Sequence, residues 1–315
     1  MKFFRVLIAV LAIAASTHIT LPVQAEDEWL EKEEVQGALK NLISAVETDY
    51  FFDEKRTVIV DKLTSAMHLG YVNDQYQFGH FKRKLERMLY ASSKDSRFEI
   101  SWRANLTQAN DTSDTTFPGK IETQLLDDGL GYLSVDGDLI YSLSQEELDK
   151  ALSHLSSARA LVIDLQRAGH IDFDIAKHFL HHFTPKGQPL ATLTFANNEA
   201  TYIISETDIE RISSDIPVFI VTSPFVAGSW EFVAYTLKHE ERAIIVGMPT
   251  MGLSVMTTTK ALSKHVNVTM AFAELHHPVT GTNWRDKGVI PDIASPSHEA
   301  TSKTIKLASD AVNAM

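Results

Sequence analysis

Residues 217–252, PVFIVTSPFVAGSWEFVAYTLKHEERAIIVGMPTMG, place the tightest limit on how this chain can fold. Residues 217–222 are an apolar run that Ser223-Pro224 breaks. Trp230, Val233, Ala234 and Leu237 then recur at helical spacing, so a helix begins near Gly228-Ser229. Residues 243–246 form a second apolar run, closed by Gly247. Strand, tight turn, helix and strand in that order argue for an α/β layered fold. A small residue on a sharp strand-to-helix turn is also where several hydrolases place a nucleophile, at the positive end of the helix dipole. Ser229 is therefore a candidate nucleophile. Its plainer reading is a helix N-cap, a position that serine favours.

The surrounding segments extend the pattern. Residues 160–165, ALVIDL, are apolar with one acid and read as a strand buried on both faces. A glycine-containing loop follows, then a helix over 171–183. Residues 190–195 form a strand paired with 201–204, and residues 266–272 alternate as another. Before them, 121–126 and 131–135 are strands around the turn Asp127-Asp128-Gly129, and 144–155 is a helix. Asp164 reads as satisfying backbone or loop groups at its strand end. The first part of the chain is helical: Val35, Ala38, Leu39, Leu42, Ile43 and Val46 mark one apolar face. A second helix runs from Asp53 toward His68, and Phe78, Phe81, Leu85, Met88 and Leu89 define a third.

The N-terminus reads as a leader: Lys2 and Arg5, an apolar core over 6–15, and Val23-Gln24-Ala25 as a cleavage site. That core is too short for a typical membrane span, so cleavage near Glu26 would leave no membrane span; the alternative is an uncleaved N-terminal anchor. The expected location is exported, periplasmic or extracellular. A cysteine-free chain has no disulfide framework, cysteine nucleophile or thiolate metal site. A formal net charge of −12 argues against nucleic-acid binding through bulk electrostatics. The chain divides into a leader (1–25), a helical N-terminal subdomain (26–92) and an α/β core (93–315).

Four separated segments carry a family resemblance. They are the helical lead-in ending in Tyr71 and then Lys94-Asp95-Ser96-Arg97; Asp128-Gly129-Leu130-Gly131-Tyr132-Leu133; the run from Ala160 to Gly169; and the 217–252 stretch with Gly281-Thr282-Asn283-Trp284-Arg285-Asp286-Lys287-Gly288-Val289-Ile290-Pro291-Asp292 after it. In this order the chain resembles the tail-specific, or C-terminal-processing, serine peptidases, in the branch resembling interphotoreceptor retinoid-binding protein. The resemblance implies a crotonase-like (Clp-protease-like) core of repeated strand-strand-helix units behind a helical N-terminal subdomain. It also implies a serine nucleophile on the strand-to-helix turn, a lysine or histidine base, and an oxyanion held partly by a glycine-rich loop. No cofactor is implied. The partner would be a peptide or protein, as substrate or ligand, or a small hydrophobic molecule.

The residues that should do the chemistry depart from that pattern. Aligning the family's Thr-x-Ser-x-x-Glu on Glu231 puts Gly228 in the serine's place, with Ser229 one step later. Leu253 stands where the lysine-using branch has its base, and Arg97 where the histidine-using branch has its own. Ala168-Gly169-His170 replaces the consecutive glycines of the oxyanion loop. Two readings follow. In the first the chain is a pseudoenzyme that keeps a binding groove formed by Gly169, Gly228, Trp230, Thr250 and Gly252. In the second it is an active serine-type peptidase with Ser229 as displaced nucleophile and His170 as base. His178 and His182 share a helix face beside His181, but no third ligand and no His-Glu-x-x-His pattern is evident, so they read as surface histidines and no metal is expected.

Overall fold

The computed structural model describes residues 25–103, 119–139, 141–206, 209 and 212–315. Residues 1–24 of the expected leader, and most of the polar loop after the first core strand, lie outside the described residues. The N-terminal part comprises β1 (Trp29–Leu30), α1 (Lys32–Asp49), α2 (Asp53–His68), β2 (Tyr76–Gln77) and α3 (Phe78–Ser93). Val35, Ala38, Leu39 and Leu42 line the buried side of α1, as their spacing predicts.

The remainder alternates strands and helices. It runs β3 (Glu99–Trp102), β4 (Lys120–Leu125), β5 (Leu130–Leu139), α4 (Tyr141–His154), β6 (Ala160–Ile171), α5 (Phe173–His181), β7 (Pro189–Phe195) and β8 (Ala200–Ile204). Then come β9 (Val218–Thr222), α6 (Ser229–His239), β10 (Ile244–Gly247), β11 (Val255–Ala261), β12 (Val266–His276), β13 (Ile293–Ala294) and α7 (Ser297–Ala314).

One sheet has the order β13-β10-β9-β6-β5-β4, parallel except for β4. Its central strands are apolar on both faces because both faces are covered. On β6, Leu161, Ile163 and Leu165 join the core with Ile175, Phe179 and Trp230 of α5 and α6. Ala160 and Val162 point the other way, against Ala300, Ala308 and Val312 of α7. Each large apolar side chain so buried contributes about 2 kcal/mol. Asp164 ends this apolar stretch as expected, accepting from Gln166 N–H (3.0 Å), Tyr132 Oη (3.1 Å) and Thr301 Oγ1 (2.6 Å). Burial, with the Asp164 charge adding to it, pushes the Tyr132 hydroxyl up to about 12.

The second sheet is antiparallel, in the order β11-β12-β7-β8, with β3 also on β12. The pairing of β7 with β8 is the one read from the sequence. The N-terminal helices pack on this sheet: Leu39, Leu42, Tyr50 and Phe81 share a core with Ile100, Val266, Val268 and Met270. The helical section is thus continuous in its packing with the strands at the 26–92 boundary.

Glu34 of α1 pins the helices to the β11–β12 turn. Its carboxylate accepts from Ser263 Oγ (2.7 Å) and His265 N–H (2.9 Å), and pairs with His265 Nδ1 at 3.1 Å. Burial pushes this carboxyl up, but the bonds from Ser263 and His265 outweigh it and the pKa is lowered. A carboxyl lowered on folding stabilises above its unfolded pKa, about 4.3, and that contribution is lost as pH falls through the folded value. Glu34→Ala should cost about 2 kcal/mol at pH 7. Unfolding curves from pH 7 to pH 3 should show the gap between parent and variant closing on the acid side; a constant gap would exclude this role.

Candidate functional site

β9 delivers the chain to residues 223–228, where it turns sharply into α6. Gly228, the residue before the helix, has φ 59° and ψ −120°. That combination lies in a strained region where a side chain is rarely accommodated, and it is the kind of strand-to-helix turn on which nucleophiles are exposed. Apart from Gly228 itself and its two chain neighbours, no heavy atom of the described residues lies within 4 Å of where a Cβ on Gly228 would stand. The position thus has an open place for a side chain and carries none.

That open place belongs to a cleft of about 440 Å³. Ala168 to Ile171 from the end of β6, Phe173, Phe225, Ala227 to Ser229, Leu253 to Thr257 and Leu275 line it. Segments far apart in sequence meet there because β6 and β9 are neighbours in the first sheet, α6 packs on β6, and β11 and β12 of the second sheet supply the remaining wall. Most of the wall is apolar. Phe225 projects into solvent at the rim, 78% exposed.

Of the residues expected to act, Ser229, His170, Gly169, Gly228 and Leu253 all line this cleft. Ser229 and His170 are not hydrogen-bonded to each other among the described residues. His170 is exposed at the mouth, its Nε2 3.2 Å from Asp172 Oδ1. Trp230 is placed differently from the expected groove: it is fully buried and stacks edge-on against Phe179, since the first turn of α6 rotates it toward the core. Thr250 is also interior, donating to Glu231 Oε1 at 2.5 Å and accepting from Val289 N–H at 2.7 Å. Gly252 is buried with φ +94°, and a Cβ there would press on the Asp286 backbone, so its role is close packing. Arg97 is outside the cleft lining; Nε pairs with Asp95 Oδ1 at 2.7 Å and the guanidinium lies over Phe52.

The glycine-containing loop after residue 165 is a strand instead. β6 continues to Ile171 because two register shifts let it stay paired with β5, Gly137 opposite Ala168 and Leu139 opposite Ile171. Gly169 is required by that pairing: a Cβ would run into Asp138 Oδ1 and the Gly137 backbone. The His170 N–H donates to Asp138 Oδ1 at 2.6 Å. A backbone donor that would face an oxyanion in the expected arrangement is therefore engaged by a carboxylate, which would also repel negative charge.

Glu231 is the organising residue that sequence reasoning used only as an alignment anchor. It is fully buried. Its oxygens accept from Gly228 N–H (2.9 Å), Thr250 Oγ1 (2.5 Å), Gly252 N–H (2.6 Å) and Leu253 N–H (2.8 Å). One carboxyl group thereby ties the turn before α6 to the 250–253 loop and sets the distance across the cleft. The signal was present in the sequence as the N-cap-to-N3 spacing of Gly228 and Glu231.

A family model described as Peptidase family S41 matches residues 129–295, a span that contains every cleft-lining residue. Among solved structures, a lipoprotein from Streptococcus agalactiae superimposes with a TM-score of 0.65 at 13% identity, over 88% of this chain and 96% of that one. A photosystem II D1 C-terminal processing protease superimposes with a TM-score of 0.60 at 15% identity, over 84% of this chain and 93% of that one. At such identities the superpositions speak for the fold, and it is the α/β fold that the sequence resemblance implied.

Proposed function

The chain belongs to peptidase family S41, and from that premise we propose that it is an exported member whose cleft holds an extended apolar peptide without cutting it. The observation that carries this reading is Gly228. Its backbone has the strained geometry of a nucleophile turn and opens on the cleft, yet no nucleophile stands on it. The bases are missing in the same way. Leu253, at the place of the lysine-using branch's base, lines the cleft with an alkyl group, and Arg97 is committed to Asp95.

Two features favour a peptide as the occupant. β11 is the end strand of its sheet, and Val255, Met256 and Thr257 from it line the cleft, so an extended backbone can lie alongside. Phe225, exposed at the rim, offers an apolar anchor of the kind that dominates binding energy. Export rests on the leader-like sequence of residues 1–25; among the described residues no helix is long and apolar enough to cross a membrane.

A second reading has its own observation. Ser229 and His170 line one cleft, and Asp172 sits against His170 Nε2, leaving Nδ1 as the nitrogen that would have to take the serine proton. A fluorophosphonate probe separates the two. The pseudoenzyme reading expects no labelling of the purified chain, together with saturable binding of apolar peptides. Phe225→Ala should weaken that binding about 10-fold while leaving the thermal midpoint unchanged, since the side chain is exposed. Labelling at Ser229 that disappears in His170→Ala would replace the first reading with the second. Binding of small apolar molecules in place of peptides would keep the cleft and change its ligand.

A further inference from the structure

α4 and α5 pack against each other, and they bring Asp149 of α4 to two histidines, His178 and His182, from the far end of α5. His178 Nε2 lies 2.6 Å from Asp149 Oδ1, and His182 Nε2 lies 2.9 Å from the same oxygen. The imidazoles stand nearly perpendicular, at 87°, with centroids 5.4 Å apart. All three potential ligand atoms lie within 4.8 Å of one another. The histidines are not on the surface as their sequence suggested: their side chains are 10% and 6% exposed, while Asp149 is 44% exposed and leaves a path to solvent. The missing third ligand was invisible in the sequence because it comes from another helix.

Two buried imidazoles direct the same ring nitrogen, Nε2, at one carboxylate oxygen, so three potential ligand atoms converge on one small volume. A cation at the point of convergence would satisfy all three groups at once. In a tetrahedral zinc site the coordinating atoms are about 3.3 Å apart, given metal–nitrogen distances of about 2 Å. The contacts of His178 and His182 with Asp149 would widen by about 0.7 Å and about 0.4 Å to reach that spacing. His178 also has an outer partner: its Nδ1 is 2.8 Å from the Gln145 side-chain amide. With Nε2 on a metal, Nδ1 carries the ring proton, and Gln145 accepts it by turning its amide oxygen to the ring. His181, next in the chain, is engaged elsewhere, accepting from Glu206 N–H at 3.4 Å.

We propose that Asp149, His178 and His182 bind one zinc-like divalent cation that staples α4 to α5, with its remaining coordination open to water. Two imidazoles and a carboxylate suit zinc, cobalt or nickel, whereas magnesium and calcium favour all-oxygen sites. The ion would also steady the cleft. Phe173, at the start of α5, is in the cleft wall, and His178 is five residues along the same helix, about 7.5 Å of rise.

Cobalt(II) titration of the chelator-washed chain tests this directly. One equivalent should produce visible d–d bands, zinc should abolish them by displacement, and zinc should raise the thermal midpoint. His182→Ala and Asp149→Asn should each weaken binding by at least about 10-fold, and Gln145→Ala by about 10-fold or more. Replacing His68, on α2 and outside the cluster, should change nothing. Asp149→Asn, at a partly exposed position, serves where a buried histidine variant fails to fold. The site is overturned if no bands develop at millimolar cobalt. It is equally overturned if His182→Ala and Asp149→Asn bind zinc as the parent does, since the ion would then be held by other histidines.

Discussion

Glu231→Ala should destabilise the fold by about 4 kcal/mol or more, a large share of the 5–15 kcal/mol that typically separates folded from unfolded chains. Four donors converge on the Glu231 carboxyl group, three of them backbone N–H groups, and it is fully buried. Each donor left without a partner costs about 1–3 kcal/mol, and water entering the vacated space recovers some of that. Glu231→Gln should fall between parent and alanine variant, because its amide keeps one acceptor oxygen but turns a donating NH2 toward other donors. Urea unfolding at constant m-value measures the effect. The loss should include cleft function, since the 228 turn and the 250–253 loop would no longer be held at a fixed separation, and peptide binding should disappear before the chain unfolds. A Glu231→Ala variant within 1 kcal/mol of the parent, still binding peptide, would show that the cleft is held by its apolar packing and not by this carboxyl group.

The contrast between Glu231 and the elements around it shows which information the sequence carried. Strands β6 and β9 were legible because burial on both faces requires continuous apolar runs, and β6 and β9 are buried along their shared length. The helix after Gly228 was legible from its spacing. By contrast α7 has a buried stripe of Ala300, Thr304, Ala308 and Val312, too small and too polar to register as a hydrophobic face. β11, rich in threonine and only half-buried on alternate residues after Val255, was equally silent. The continuation of β6 through Gly169 depends on bulges and on the Asp138 side chain, which are tertiary facts. The candidate site divides in the same way. Ser229 was found from the strand-to-helix turn, and Gly228 and His170 because a family pattern named their neighbourhood. The burial of Trp230 and Thr250, the four bonds to Glu231 and the meeting of Asp149 with His178 and His182 depend on which face of a helix turns inward and on what packs there.

Installing the absent groups should have the largest effect on chemistry. Gly228→Ser alone has room, and its backbone conformation costs about 1–3 kcal/mol with a side chain present. It should gain little reactivity, because no base stands beside it. Leu253→Lys adds one from the facing loop, where the apolar cleft wall would lower the ammonium pKa and favour the neutral, proton-accepting form. The double variant should therefore react with a fluorophosphonate about 10²–10⁴ times faster than either single change, the range that a positioned general base supplies. Turnover of a peptide should lag behind labelling, since the His170 N–H remains bound to Asp138 and leaves the oxyanion under-supported. The order of reactivity then discriminates the two readings of this cleft. If the parent is inert and only the double variant is labelled, at residue 228, the fold has kept the nucleophile turn and lost its occupant. If the parent is labelled at Ser229, and Gly228→Ser with Leu253→Lys adds nothing, the displaced serine is the working nucleophile and the open place at Gly228 is room for substrate.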